Sequence, residues 1–99
     1  MLGPMSEVQT LTNALLARHG ELELAILFGS LAAGTARGDS DVDLAVSAGR
    51  PLTEAERLAL IADIAEATGR PVDLVDLVEA GEPLLGRVLK NGRRLLGTP

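Results

Sequence analysis

A chain of 99 residues with 46% hydrophobic content is long enough for one core and too short for two, so it reads as a single domain over 1–99. A net charge of −5 and a single aromatic residue, Phe28, argue against a surface that grips or stacks on nucleic acid directly. No cysteine and one histidine exclude disulfides and thiolate or histidine-rich metal sites, so any bound metal must be held by oxygen.

The opening residues, MLGPMSEVQ, lack the basic and apolar regions of a signal peptide, and no apolar run nears the roughly 20 residues that span a bilayer. A cytoplasmic setting follows as the expectation, with residues 1–5 reading as disordered or tag-like. Ser6 with Gln9 has the form of a capping box, and Val8, Leu11, Leu15 and Leu16 recur at helical spacing up to Gly20, predicting a helix over 6–19. His19 reads as a cation at the C-terminus of that helix. Leu22 to Phe28 is short, apolar and closed by Gly29, as a buried strand should be. From Asp41 to Ser47 the chain alternates strictly, with Val42, Leu44 and Val46 on one face and Asp41, Asp43, Ala45 and Ser47 on the other. That is a second strand.

Thr53 with Glu56 forms a second capping box, and Leu58, Ile61, Ala62 and Ala65 make a helical stripe ending at Gly69. Arg57 on this helix reads as solvated. The run RPVDLVDLV, Arg70 to Val78, predicts a third strand with Arg70 at its start, Pro71 at its first position, and Asp76 near its end, facing solvent or capping. Pro83 to Lys90 predicts a short helix, Asn91-Gly92 a turn, and Arg93 to Leu96 an optional last strand, with Arg93 and Arg94 as surface charges. The fold class is α+β: a small mixed sheet of three or four strands with helices.

The chemistry concentrates in LFGSLAAGTARGDSDVDLAV, Leu27 to Val46. Residues i and i+2 of a strand project to one side, so Asp41 and Asp43 present their carboxylates together, their Cα atoms roughly 6.6 Å apart. Like charges so placed repel unless a cation lies between them, and hard divalent ions prefer oxygen ligands. Paired metal ions on such a face suit phosphoryl or nucleotidyl transfer. Gly29 allows a phosphate close to the backbone, and Ser30 begins a helical turn whose amides and hydroxyl point above the second strand. Asp73, between Val72 and Leu74, is the candidate third acid.

The run GSLAAGTARGDSDVDL, Gly29 to Leu44, resembles the signature of the polymerase-beta-type nucleotidyltransferase superfamily, in which Gly-Ser is followed after ten residues by Asp-x-Asp. The size of the chain and the GRPVDLVDL segment resemble minimal nucleotidyltransferase (MNT) domains, the antitoxin partners of HEPN-domain toxins. The resemblance implies a polymerase-beta-like fold in which Gly29 and Ser30, with Arg37 and Ser40, bind the nucleotide. It makes Asp41 and Asp43 ligands of magnesium, two ions in all, and Asp73 a third catalytic and metal-binding acid. It further implies ATP as substrate and transfer of AMP to a hydroxyl, a tyrosine's, of a HEPN toxin held in a heteromeric complex. Ala33 stands where many relatives carry Arg, and the alternative reading is a catalytically weak or inactive antitoxin that neutralises its toxin by binding alone. No residues remain for an acceptor domain, so a partner must present the acceptor, docking on apolar surface around Leu84, Leu85, Val88, Leu95 and Leu96.

Overall fold

In the computed structural model, which describes residues 6–97, the elements run α1 (Glu7–Arg18), β1 (Leu24–Phe28), α2 (Gly29–Ala33), β2 (Val42–Ser47), α3 (Glu54–Thr68), β3 (Val72–Asp76), α4 (Leu84–Asn91) and β4 (Arg93–Gly97). The expectation for residues 1–5 lies outside the described residues. Both long helices begin at the caps the sequence offers. Ser6 Oγ accepts the Gln9 amide at 3.1 Å, but the Gln9 side chain donates forward to Asn13 and leaves that box half made. Thr53 and Glu56 complete theirs in both directions, and Gly69, at φ +70, closes α3 in the left-handed conformation. The Arg50 guanidinium grips the Glu56 carboxylate through both its oxygens at 2.7 Å, and with the Thr53 bond it holds the Glu56 pKa down at about 2.

The sheet has the order β3-β2-β1-β4, with β1 antiparallel to both β2 and β4 and with β2 parallel to β3. The parallel step needs a crossover, and α3 supplies it. The last strand is therefore an integral edge of the sheet rather than an option. Its approach to β1 demands glycine at 92, where a Cβ would lie 2.2 Å from Ile26 Cγ2.

The sheet buries both faces, unequally. Val42, Leu44 and Val46 of β2 join Leu27 and Leu74 beneath Leu11 and Leu15 of α1 and Leu60 and Ile64 of α3. On the other face Ala45 and Ile26 pack against Leu77 and Val88, with Leu84 and Leu85 half-buried beside them. This corrects the docking surface expected from sequence. Val88 is fully buried, and Leu95 and Leu96 pack against the larger core, because α4 is amphipathic and covers the second face. Among the described residues, the large apolar side chains left exposed are Leu16, Leu58, Val78 and Leu89.

Four polar residues also find partners that the sequence alone does not specify. His19 caps α1 as expected but is buried, its Nε2 2.7 Å from Asp63 Oδ2 on α3. Arg57 is not simply solvated: it donates to the Leu74 carbonyl at 2.9 Å, on a strand that lies at the sheet edge with carbonyls to satisfy. Asp76 lies at the end of β3 and caps, the second of the two outcomes expected for it, accepting the Leu52 amide at 2.8 Å and the Val78 amide at 3.0 Å. Arg70 precedes β3, which starts at Val72, and its side chain turns away to the loop described below. Among the described residues no helix is long and apolar enough to cross a membrane.

Thr53→Ala removes the start of the crossover helix that places β3. The expected cost is about 1 kcal/mol, a fall of roughly 4–8 °C in melting temperature for a domain of this size. Thermal unfolding followed by circular dichroism checks it.

Candidate active site

The site is built where β1 ends. Phe28 pairs with Asp43 in the β1–β2 register, so the next residue, Gly29, must turn directly over the Asp43 side chain. It does so at φ +73, and a Cβ there would lie 2.1 Å from Asp43 Oδ2. Only glycine combines that backbone conformation with that approach. The turn becomes α2, whose first amides receive no side-chain cap, and Gly34 ends it at φ +76.

Asp43 in turn pairs with Asp73 in the parallel β2–β3 register, so two carboxylates stand side by side on adjacent strands. Asp41, just before β2, is exposed; Asp73 on the edge strand is exposed; Asp43 between them is half-buried. Burial, then the neighbouring charges of Asp73 and Asp41, push the Asp43 carboxyl above the usual carboxylate range. Among the described residues no three acidic or histidine side chains already stand close enough to form a ligand set. The donor chemistry nonetheless fits a hard divalent cation: oxygen donors only, mutually repelling, and one of them desolvated.

The connection from α2 to β2 is fixed from below. The Arg37 amide donates to Ser40 Oγ at 2.8 Å and the Ser40 amide returns to the Arg37 carbonyl at 3.1 Å. Arg70 donates to the carbonyls of both, at 2.5 Å and 2.9 Å, while its remaining donors hold both carboxylate oxygens of Glu7 at the start of α1. Its side chain is 9% exposed, and the bond to Arg70 draws the Glu7 carboxyl below its ordinary range. Arg70 thus clamps the loop that delivers Asp41 and Asp43.

A cleft of about 400 Å³ opens beside Gly29 and Asp43, bounded also by Phe28, Ala33, Leu84, Arg87 and Asn91. The structure therefore brings Gly29, Asp43, Asp41 and Asp73 to one end of the sheet, with Ser30 next to them in α2. Ser40 spends its hydroxyl on the loop turn, and Arg37 is exposed and does not line the cleft. Sequence reasoning missed Arg70, Arg87 and Asn91. A signal for the last two existed: Leu84, Arg87 and Asn91 share one face of a helix at i, i+3 and i+7.

A nucleotidyltransferase is the class of protein that this fold and site define. The chain belongs to the polymerase beta nucleotidyltransferase family, whose model matches residues 11–98. It is similar to the protein adenylyltransferase MntA of Shewanella oneidensis, 41% identical over 78 residues that make up 79% of this chain; the chain spans 56% of the length of that relative. A chain of a toxin–antitoxin complex crystallised with AMP-PNP superposes with a TM-score of 0.80 at 36% identity, covering 95% of this chain and 75% of that one. Another, from a tri-AMPylated Shewanella oneidensis HEPN toxin in complex with its MNT antitoxin, gives a TM-score of 0.72 at 33% identity, covering 93% and 71%.

Two substitutions test the geometry. Gly34→Ala and Gly29→Ala carry the same left-handed backbone cost, about 1–2 kcal/mol, but only position 29 adds a clash with Asp43, since a Cβ at 34 meets nothing within 4 Å. Chemical denaturation is expected to show the larger loss for Gly29→Ala; equal losses would remove the steric argument. Asp43→Asn, measured with a chelator present, is expected to raise the melting temperature at pH 7. A raised carboxyl pKa means the folded state holds its proton more tightly, so the ionised group weakens the fold as pH rises through the folded pKa. The gain from Asn should accordingly vanish below the ordinary value of 3.8, and a gain independent of pH contradicts the assignment.

Proposed function

We propose that this chain is a magnesium-dependent adenylyltransferase acting as an antitoxin in the cytoplasm: it transfers AMP from ATP to a hydroxyl, that of a tyrosine, on a HEPN-type toxin with which it forms a complex. The observation that carries the reading is the half-buried Asp43 carboxylate pressed beneath Gly29 and flanked by Asp73 and Asp41, at the mouth of a cleft. The similarity to MntA and to a chain found with a tri-AMPylated HEPN toxin supports the same acceptor class.

In this reaction the acceptor oxygen forms a bond to the α-phosphorus of ATP as the bond from that phosphorus to the bridging β-oxygen breaks, and pyrophosphate leaves. Gly29 and Ser30 seat the triphosphate, the glycine by allowing close approach and the serine through its amide and hydroxyl. Asp73 takes the hydroxyl proton on a carboxylate oxygen; its place on the exposed edge strand leaves room for an acceptor delivered from outside the domain. Asp41 and Asp43, with Asp73, would hold magnesium, which when bound neutralises phosphate charge and favours ionisation of the attacking hydroxyl. Ser40 and Arg37 act by shaping the loop that carries these acids, the geometry that their mutual hydrogen bonds support best.

A second reading, neutralisation by binding alone, is favoured by one feature: Ala33 lines the cleft with a methyl group at the position where the family resemblance leads one to expect an arginine. The test separates the two. The chain is incubated with its toxin partner, labelled ATP and magnesium, in parallel with Asp41→Asn and Asp43→Asn. Label on the partner should appear with the parent chain and fall by roughly a hundred-fold or more in either variant, the scale of losing a group that acts on developing charge. Equal labelling in all three overturns the assignment of the acids, and a stable complex that never labels establishes the binding-only antitoxin.

A further inference from the structure

The cleft beside Asp43 has two walls. One is the Gly29 turn and β2; the other is α4, which contributes Leu84, Arg87 and Asn91. Among the described residues Arg87 is the only cation that lines it, and Asp43 the only anion. Arg87 is exposed, makes no ion pair with any described residue, and hydrogen-bonds to Pro83 only through its backbone amide. Its neighbour Val88 is fully buried against Ile26, Ala45 and Leu77, so the helix that carries it is anchored to the sheet while the guanidinium stays unspent. Asn91, one turn further on the same face, adds an amide to that wall.

An anion entering this cleft meets the Asp43 carboxylate, with the charges of Asp41 and Asp73 near it at the same end of the sheet. Their summed field repels a polyphosphate, and a cation on the opposite wall offsets it. A guanidinium also suits the task by shape, since its planar fork matches two phosphate oxygens at once.

We propose that Arg87 of α4 is a nucleotide-binding residue that pairs with the polyphosphate of the nucleoside triphosphate, making α4 the second wall of the substrate seat. The proposal rests on the nucleotidyltransferase reading of the same cleft. Apolar Phe28 and Leu84, also in the lining, leave Arg87 and Asn91 as the groups on that side able to bind phosphate oxygens.

The test is a titration of the full chain with ATP, ADP and AMP in magnesium, followed by calorimetry, for the parent and for Arg87→Ala, Arg87→Lys and Lys90→Ala. Lys90 lies on the same helix but does not line the cleft. Arg87→Ala should weaken ATP binding by roughly ten-fold, the scale of one charge-assisted phosphate contact, with a smaller effect on ADP and the least on AMP. Arg87→Lys should recover part of the loss and Lys90→Ala should cost little. Thermal unfolding of each variant confirms that the helix still docks. If the parent chain binds no ATP, the nucleotidyltransferase reading itself fails. If the parent binds ATP and Arg87→Ala binds it equally, or if Lys90→Ala loses as much, only the role of Arg87 falls. Loss of toxin binding with unchanged ATP affinity likewise overturns it, giving Arg87 to the protein interface.

Discussion

A single steric coincidence organises this domain: the space where residue 29 would carry a β-carbon is filled by the carboxylate of Asp43. Because β1 must end beside β2 with its last residue opposite Asp43, the chain has one way to leave the strand without collision, a left-handed glycine. That exit sets the direction of α2, and with it the side of the sheet on which the cleft opens. Shielding by the turn is also part of what desolvates Asp43, so the same contact that shapes the backbone helps raise the proton affinity of the group.

The second organising element is α4. Eight residues long, it covers the smaller face of the sheet with Val88 and turns Leu84, Arg87 and Asn91 toward the cleft. One short helix therefore closes a core and forms one wall of the cleft, and its position depends on β4, which follows at once and pairs with β1. The strand that sequence left optional holds the helix that sequence placed at a docking surface.

Much of this architecture was legible beforehand because it depends on local rules. Alternation in β2 separates Val42, Leu44 and Val46 from Asp41 and Asp43, and the caps at Ser6, Thr53 and Gly69 mark helix ends within a residue or two. The pairing of Asp43 with Asp73 was legible only as a guess, since it rests on a parallel register that no local pattern specifies. What stayed hidden were long polar side chains whose partners are set by tertiary assembly. Arg57 reaches a carbonyl 17 residues away and Arg70 a carboxylate 63 residues away, and neither position differs in sequence from an ordinary solvated arginine. The burial of Val88 was missed for a related reason: an amphipathic helix declares that it has an apolar face, not which surface will receive it.

Arg70 gives the clearest view of how far the site extends. It joins the first turn of α1, the loop before the paired aspartates and the start of β3, three pieces of chain with no sequence proximity, through one guanidinium. In a larger enzyme such bracing can be spread over many residues and lost piecemeal. Here the frame of the acids runs out to Glu7, so the boundary between scaffold and candidate site dissolves: the beginning of the first helix is as much a part of the support of the loop before the acids as the residues adjoining it. A domain organised this way has little that can be trimmed, because single side chains brace several parts of it at once.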